Sequence, residues 1–147
     1  MTASGQQRPI ALITGAARRV GAVIARTLHT AGYGLALHCR HSRAELDTLI
    51  DELESARADS TLALQADLAD TQRIPSLIEQ TIARFGRLDA LVNNASAFYP
   101  TPLGTITVQQ WDELFAANAR APLFLAQAAA SHLQQTYGAI VNIVDIY

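Results

Sequence analysis

The chain has 147 residues, half of them hydrophobic and 16% charged, with a formal net charge of −2. That composition suits one domain with a sizeable core over residues 1–147, offers no basic footprint for nucleic acid or anionic lipid, and contains no apolar run near the roughly 18 residues of a membrane span. Cys39 is the single cysteine and all 11 basic residues are arginines. An internal disulfide, a cysteine-built metal site and any lysine chemistry are therefore excluded. The polar start Met1-Thr2-Ala3-Ser4-Gly5-Gln6-Gln7-Arg8 lacks the apolar stretch of a signal peptide, so a cytoplasmic location is expected.

The apolar run Pro9-Ile10-Ala11-Leu12-Ile13 reads as a strand, and Val23-Ile24-Ala25-Arg26-Thr27-Leu28 as part of a helix. Between them lies Thr14-Gly15-Ala16-Ala17-Arg18-Arg19-Val20-Gly21, a strand, glycine turn and helix start of the kind that seats a pyrophosphate on the first helical N–H groups. Gly15 supplies the tight turn and Gly21 the close approach of helix to strand. Arg19 occupies the place where many such turns carry a middle glycine. Its guanidinium either pairs with pyrophosphate or substrate oxygens, or is a solvated residue of the first helical turn, where the helix dipole disfavours it.

Further strands are expected at residues 35–39, 62–66, 88–93 and 139–144. A charged helix over 43–57 places Leu46, Leu49, Ile50 and Leu53 on one face. Another, capped by Asp70 or Thr71, runs through Leu77, Ile78 and Ile82 to a stop at Phe85-Gly86. A proline-bearing loop over 96–107 precedes one long helical stretch that carries Trp111, Phe115, Phe124 and Leu125 and ends near Tyr137-Gly138. Strands alternating with helices predict a doubly wound, Rossmann-like parallel α/β sheet that stops after its fifth strand. Ligands of such sheets bind beyond the carboxyl ends of the strands, where the strand order reverses.

The strand exits therefore carry the functional reading. A sheet that binds NAD usually has an acid at the end of its second strand for the ribose hydroxyls. Here Arg40-His41-Ser42-Arg43 stands there instead, two cations, an imidazole and a hydroxyl that suit a 2′-phosphate, so NADPH is the expected cofactor. Asp67, after the third strand, either accepts from the adenine amino group with Leu68 against the ring, or simply turns the chain. Asn93-Asn94-Ala95 can tie neighbouring exits together while Ala95 leaves room for the cofactor. Phe98, in a loop beside Pro100 and Pro102, is harder to explain as core than Phe115 or Phe124 on helices; it suits stacking on a flat substrate, with loop packing as the alternative.

The turn from Thr14 to Gly21, with Asp67-Leu68, Asn93-Asn94-Ala95 and the helical Asn118, resembles the short-chain dehydrogenase/reductase family over essentially the whole chain. More narrowly, Arg19, the run His38-Cys39-Arg40-His41-Ser42 and the run Asn93-Asn94-Ala95-Ser96-Ala97-Phe98-Tyr99-Pro100 resemble the pteridine reductases. The resemblance implies that Arg40, His41 and Ser42 hold the NADPH 2′-phosphate, that Gly15, Arg19, Gly21, Asp67, Leu68, Asn94, Ala95 and Ser96 contact the cofactor, and that Arg19, Ser96 and Phe98 contact a pterin or folate. It implies catalytic parts for Asn118 and for Asp145, the latter in proton delivery to the pterin ring that receives hydride from the nicotinamide. It also implies a homo-oligomer, a tetramer, with no metal.

One departure stands against these matches. The family's tyrosine, and the lysine four residues after it, belong on a helix beyond the fifth strand; this sequence has no lysine, and Tyr147 follows Asp145 too closely. The chain resembles the N-terminal portion of a reductase and is expected to be inactive by itself. Three functions stay open: an NADPH-dependent reductase of pterins or dihydrofolate, a reductase of another carbonyl such as a 3-oxoacyl thioester, and a non-catalytic NADPH-binding module.

Overall fold

A computed structural model describes residues 8–144. Its five strands are β1 (Ile10–Ile13), β2 (Gly34–Cys39), β3 (Thr61–Gln65), β4 (Ala90–Asn93) and β5 (Ala139–Asn142). They pair in parallel in the order β3-β2-β1-β4-β5. Because β1 leads one way to β2 and the other way to β4, the order reverses at β1, and the crevice at its carboxyl end is the expected ligand site of a doubly wound sheet.

The helices are α1 (Arg19–Thr30), α2 (Arg43–Ala56), α3 (Ile74–Phe85), α4 (Val108–Phe115) and α5 (Ala121–Thr136). Strand residues alternate between two cores, as period two requires. Ala11, Ile13, Leu35, Leu37 and Cys39 meet Ala22 and Ala25 of α1 and Leu46, Leu49 and Leu53 of α2. Leu12, Ala36, Leu64 and Leu91 meet Ile74, Leu77 and Ile78 of α3 and Leu125, Ala129 and Leu133 of α5. Burial on both faces explains why β1 and β2 read as continuous apolar runs rather than as alternating ones.

The elements depart from expectation where side chains replace backbone. β4 begins at Ala90 rather than Leu88, because the Asp89 carboxylate itself accepts the Ile10 N–H at 2.8 Å while held by Arg87. Asp70 caps a short 3₁₀ turn, Thr71–Arg73, rather than α3 itself, accepting from the Gln72 N–H at 3.2 Å. The helical stretch after the proline loop is not continuous: a π-helical turn, Ala116–Arg120, separates α4 from α5. Thr107 starts α4 with a reciprocal capping box to Gln110. Phe115 and Phe124, easier than Phe98 to explain as core, are both exposed here, and Phe115 stacks on exposed Trp111 at 4.2 Å.

Candidate functional site at the strand exits

Gly15 has a φ of +62°, and a Cβ there would stand 2.9 Å from the Ala95 Cα at the end of β4. A Cβ on Gly21 would meet the Asn94 Nδ2 at 2.6 Å and the Gly15 carbonyl still more closely. Only glycine lets these backbones interlock. Around them the Thr14 hydroxyl accepts the N–H groups of Asn94 and Ala95, each at 3.0 Å. The Asn94 Nδ2 donates to the carbonyls of Thr14 and Gly15, each also at 3.0 Å. Asn94 thus ties the exits of β1 and β4. Asn93 instead donates to the Asn142 side chain at 2.8 Å, holding β4 to β5. The signal for this role of Thr14 in the sequence is a hydroxyl directly before a glycine turn.

At the start of α1 no side chain caps the helix and the first turn holds no acid. Its initial N–H groups, with the dipole behind them, can therefore serve an anion. Arg19, exposed at this point, has a φ of +49°. A non-glycine residue in the left-handed region costs about 1–2 kcal/mol, which accounts for the glycine common at this position. Arg19→Gly should relieve that cost, offset by about 0.5–1 kcal/mol of glycine's backbone entropy, leaving Tm unchanged or slightly raised. Dinucleotide affinity should fall about tenfold with loss of the cation, as one charge-assisted hydrogen bond implies. Thermal melts alongside cofactor titration check this; a lower Tm with unaltered affinity would make Arg19 a structural residue.

At the β2 exit Arg40 is exposed, and its Nη2 lies 2.8 Å from the Asp67 Oδ2. The other Asp67 oxygen accepts the Ala69 N–H at 2.9 Å. Asp67 therefore does turn the chain, and it also joins the exits of β2 and β3. Exposed His41 follows Arg40, and Ser42 precedes α2 without capping it through its side chain. The second cation expected in this cluster is engaged elsewhere, since Arg43 pairs with Asp47 one helical turn on, at 2.8 Å. Leu68 also differs from expectation. At 8% exposure its side chain joins the core with Leu64 and Ile74 rather than standing ready for an adenine ring.

Beyond β4, Ser96 is exposed and Phe98 is 76% exposed, so Phe98 is not a core residue. The neighbouring Ala97 is gripped by Asn118 of the π-turn: its N–H reaches the Asn118 Oδ1 at 3.0 Å and its carbonyl the Asn118 Nδ2 at 2.8 Å. With its amide engaged at both ends, Asn118 acts here by fixing the loop. Tyr99 donates to Glu113 of α4 at 2.8 Å. Asp145 lies outside the described residues. A groove of about 280 Å³ between α3 and α5, lined among others by Ile74, Ile78, Phe124 and His132, includes none of these strand-exit residues. Among the described residues no group of three or more His, Cys, Asp or Glu is placed to hold a metal, and no helix is long and apolar enough to cross a membrane.

The chain is 36% identical to pteridine reductase 1 of Leishmania tarentolae, a match covering 93% of this chain and 61% of that protein. It is 33% identical to a 3-oxoacyl-[acyl-carrier-protein] reductase of Staphylococcus aureus, covering 92% and 55% respectively. It is 35% identical to a hydroxynaphthalene reductase of Aspergillus fumigatus, covering 85% and 45%. The chain thus spans about half the length of the curated relatives it matches. The short chain dehydrogenase family matches residues 9–146, a span that takes in the glycine turn, the exits of β2 to β4 and the Asn118 turn. With a parallel sheet reversing at β1 and a glycine turn stitched to the β4 exit, the chain belongs to the short chain dehydrogenase family, whose members are oxidoreductases that use a nicotinamide cofactor.

Proposed function

We propose that the protein is an NADPH-dependent reductase whose substrate is a pterin or folate. The observation that carries the reading is Phe98, a large aromatic side chain left 76% exposed on the loop that leaves β4, beside Ser96. A flat heteroaromatic substrate gains most from such a platform. The 36% identity to a pteridine reductase supports the same choice.

The strand exits fit a phosphorylated dinucleotide. The glycines at 15 and 21 form a cradle that a Cβ would fill, and the uncapped start of α1 offers N–H donors for the pyrophosphate. Arg40, His41 and Ser42 would hold the 2′-phosphate, Arg40 exchanging its Asp67 partner for the phosphate oxygens. Asp67 would meet the adenine amino group, and Asn94 and Ala95 would border the nicotinamide side. When bound, NADPH supplies hydride to the substrate. Arg19 and Ser96 would orient the substrate, Phe98 would cover one of its faces, and Asp145 would relay a proton to its ring. On the resemblance alone, the working form is a cytoplasmic homotetramer.

The cofactor assignment predicts that Arg40→Ala in the complete protein weakens NADPH binding by about 1.5–3 kcal/mol, the range for a hydrogen bond to a charged group, and spares NADH. Titrating both cofactors decides it, because equal losses would remove Arg40 from the 2′-phosphate. The substrate assignment predicts that Phe98→Ala raises KM for a pterin while Tm moves little, since an exposed ring contributes little to the fold. The 33% identity to a 3-oxoacyl reductase favours a thioester as the second reading. A Phe98→Ala protein with unchanged pterin kinetics would move the reading there.

A further inference from the structure

A second strand braces the glycine turn. His38 of β2 is 1% exposed. Its Nδ1 accepts the Gly15 N–H at 3.3 Å, and its Nε2 faces the Ala66 carbonyl at 3.0 Å. Its own backbone carbonyl accepts the Ala16 N–H at 2.8 Å. These partners decide the tautomer: an N–H on one side makes Nδ1 an acceptor, and a carbonyl on the other requires the proton on Nε2. One neutral imidazole therefore joins the turn to the residue preceding Asp67.

We propose that His38 is a positioning residue for the dinucleotide, holding the Gly15-Ala16 backbone and the β3 exit in register only while its ring is neutral, so that cofactor binding weakens in acid. The inference rests on the cofactor reading above. A residue that only filled the core would need no polar ring, since Ala36, the preceding residue on the same face of β2, fills its position with apolar atoms. Protonation would set the ring N–H against the Gly15 N–H and leave a buried donor and a buried charge uncompensated.

Burial lowers the His38 pKa below the ordinary 6.5, opposed by the hydrogen bond to Ala66 and by the Asp67 carboxylate. From β3 the ring is faced by Asp67, itself paired with Arg40. The glycine turn presents backbone N–H. Along β2 the next titratable groups are Arg40 and the Cys39 thiol, whose pKa burial raises so that it stays neutral. The unfolded chain therefore takes up the proton first as pH falls. The contribution of His38 to folding stability is complete above 6.5 and is lost as pH drops from 6.5 to its lowered folded value, while cofactor affinity falls only below that folded value.

The test uses the complete protein with NADP⁺ calorimetry and ligand-free melting across pH, in wild type, His38→Gln and His38→Leu. The glutamine keeps one acceptor and one donor. Wild-type affinity should hold near pH 7.5 and fall once pH passes below the lowered folded pKa of His38, by at most about tenfold per pH unit. His38→Gln should bind like wild type near pH 7.5 and lose less affinity in acid than wild type does. His38→Leu should bind about tenfold more weakly near pH 7.5, equivalent to about 1.4 kcal/mol. A leucine variant binding like wild type, or a glutamine variant retaining the whole acid fall, would make His38 a core residue while leaving the cofactor reading intact. If the leucine variant does not fold, the glutamine profile decides. A wild type that binds neither NADP⁺ nor NAD⁺ would overturn the cofactor reading itself, and this inference with it.

Discussion

Gly21→Ala should abolish measurable dinucleotide binding and lower Tm by roughly 6–12 °C, taking about 3 kcal/mol at 2–4 °C per kcal/mol for a domain of this size. The added methyl meets the Gly15 carbonyl and, at 2.6 Å, the Asn94 Nδ2. Neither can rotate away, because that Nδ2 already donates to Thr14 and Gly15. To admit the methyl, α1 must withdraw from the turn or Asn94 must leave it, and either movement undoes the joint between β1 and β4. Overpacking of this kind costs about 1–3 kcal/mol, and each hydrogen bond lost adds about 0.5–1.5 kcal/mol. Cofactor titration and thermal melting of the complete protein measure both effects. Wild-type affinity with Tm within about 2 °C would show that α1 and the turn adjust at little cost.

A polypeptide of residues 1–147 by itself should reduce no pterin and should self-associate through β5. The catalytic tyrosine and lysine that the family resemblance implies are absent from it. Its β5 edge is apolar and open, with Ile140 41% and Val141 45% exposed. β5 pairs with β4 through the register Val92 to Val141; among the described residues no strand pairs on its other side. Such an edge templates pairing with another chain, whereas a charged residue on it blocks pairing. Val141→Lys should therefore return the polypeptide to a monomer, as read by size-exclusion light scattering over a range of concentrations. A wild-type 1–147 polypeptide that is monomeric at high concentration and oxidises NADPH with a pterin would overturn both halves of this expectation.

The parts of the site legible in the sequence are those governed by local rules. The glycine turn was visible because strand, turn and helix follow one another within a few residues, and the fold because apolar runs alternate with helical spacing. The β2 exit is legible in outline, yet its sequence groups Arg43 with Arg40 at the phosphate, whereas a carboxylate four residues on pairs with Arg43 along the helix. What escaped reading depends on distance along the chain. His38 looks like one more residue of a buried strand until the fold brings it to Gly15 and Ala66, 23 and 28 residues away. Leu68 follows Asp67 directly, but whether it faces ligand or core depends on α3. The π-turn has no period of its own, so its residues read as unbroken helix.

That π-turn has a consequence for how such a protein diversifies. Asn118 forms a single amide rung with Ala97 at one end of the loop, and the Thr107 capping box closes the other. Between these anchors stand exposed residues such as Phe98 and Leu103, which the two cores do not use. With Phe98 in the substrate role proposed above, substitutions in this loop would change what the protein accepts without disturbing either core. On that proposal, a scaffold anchored in this way would let selection alter substrate preference step by step. It is a physical route by which related chains could come to be named as reductases of a pteridine, a 3-oxoacyl carrier and a hydroxynaphthalene.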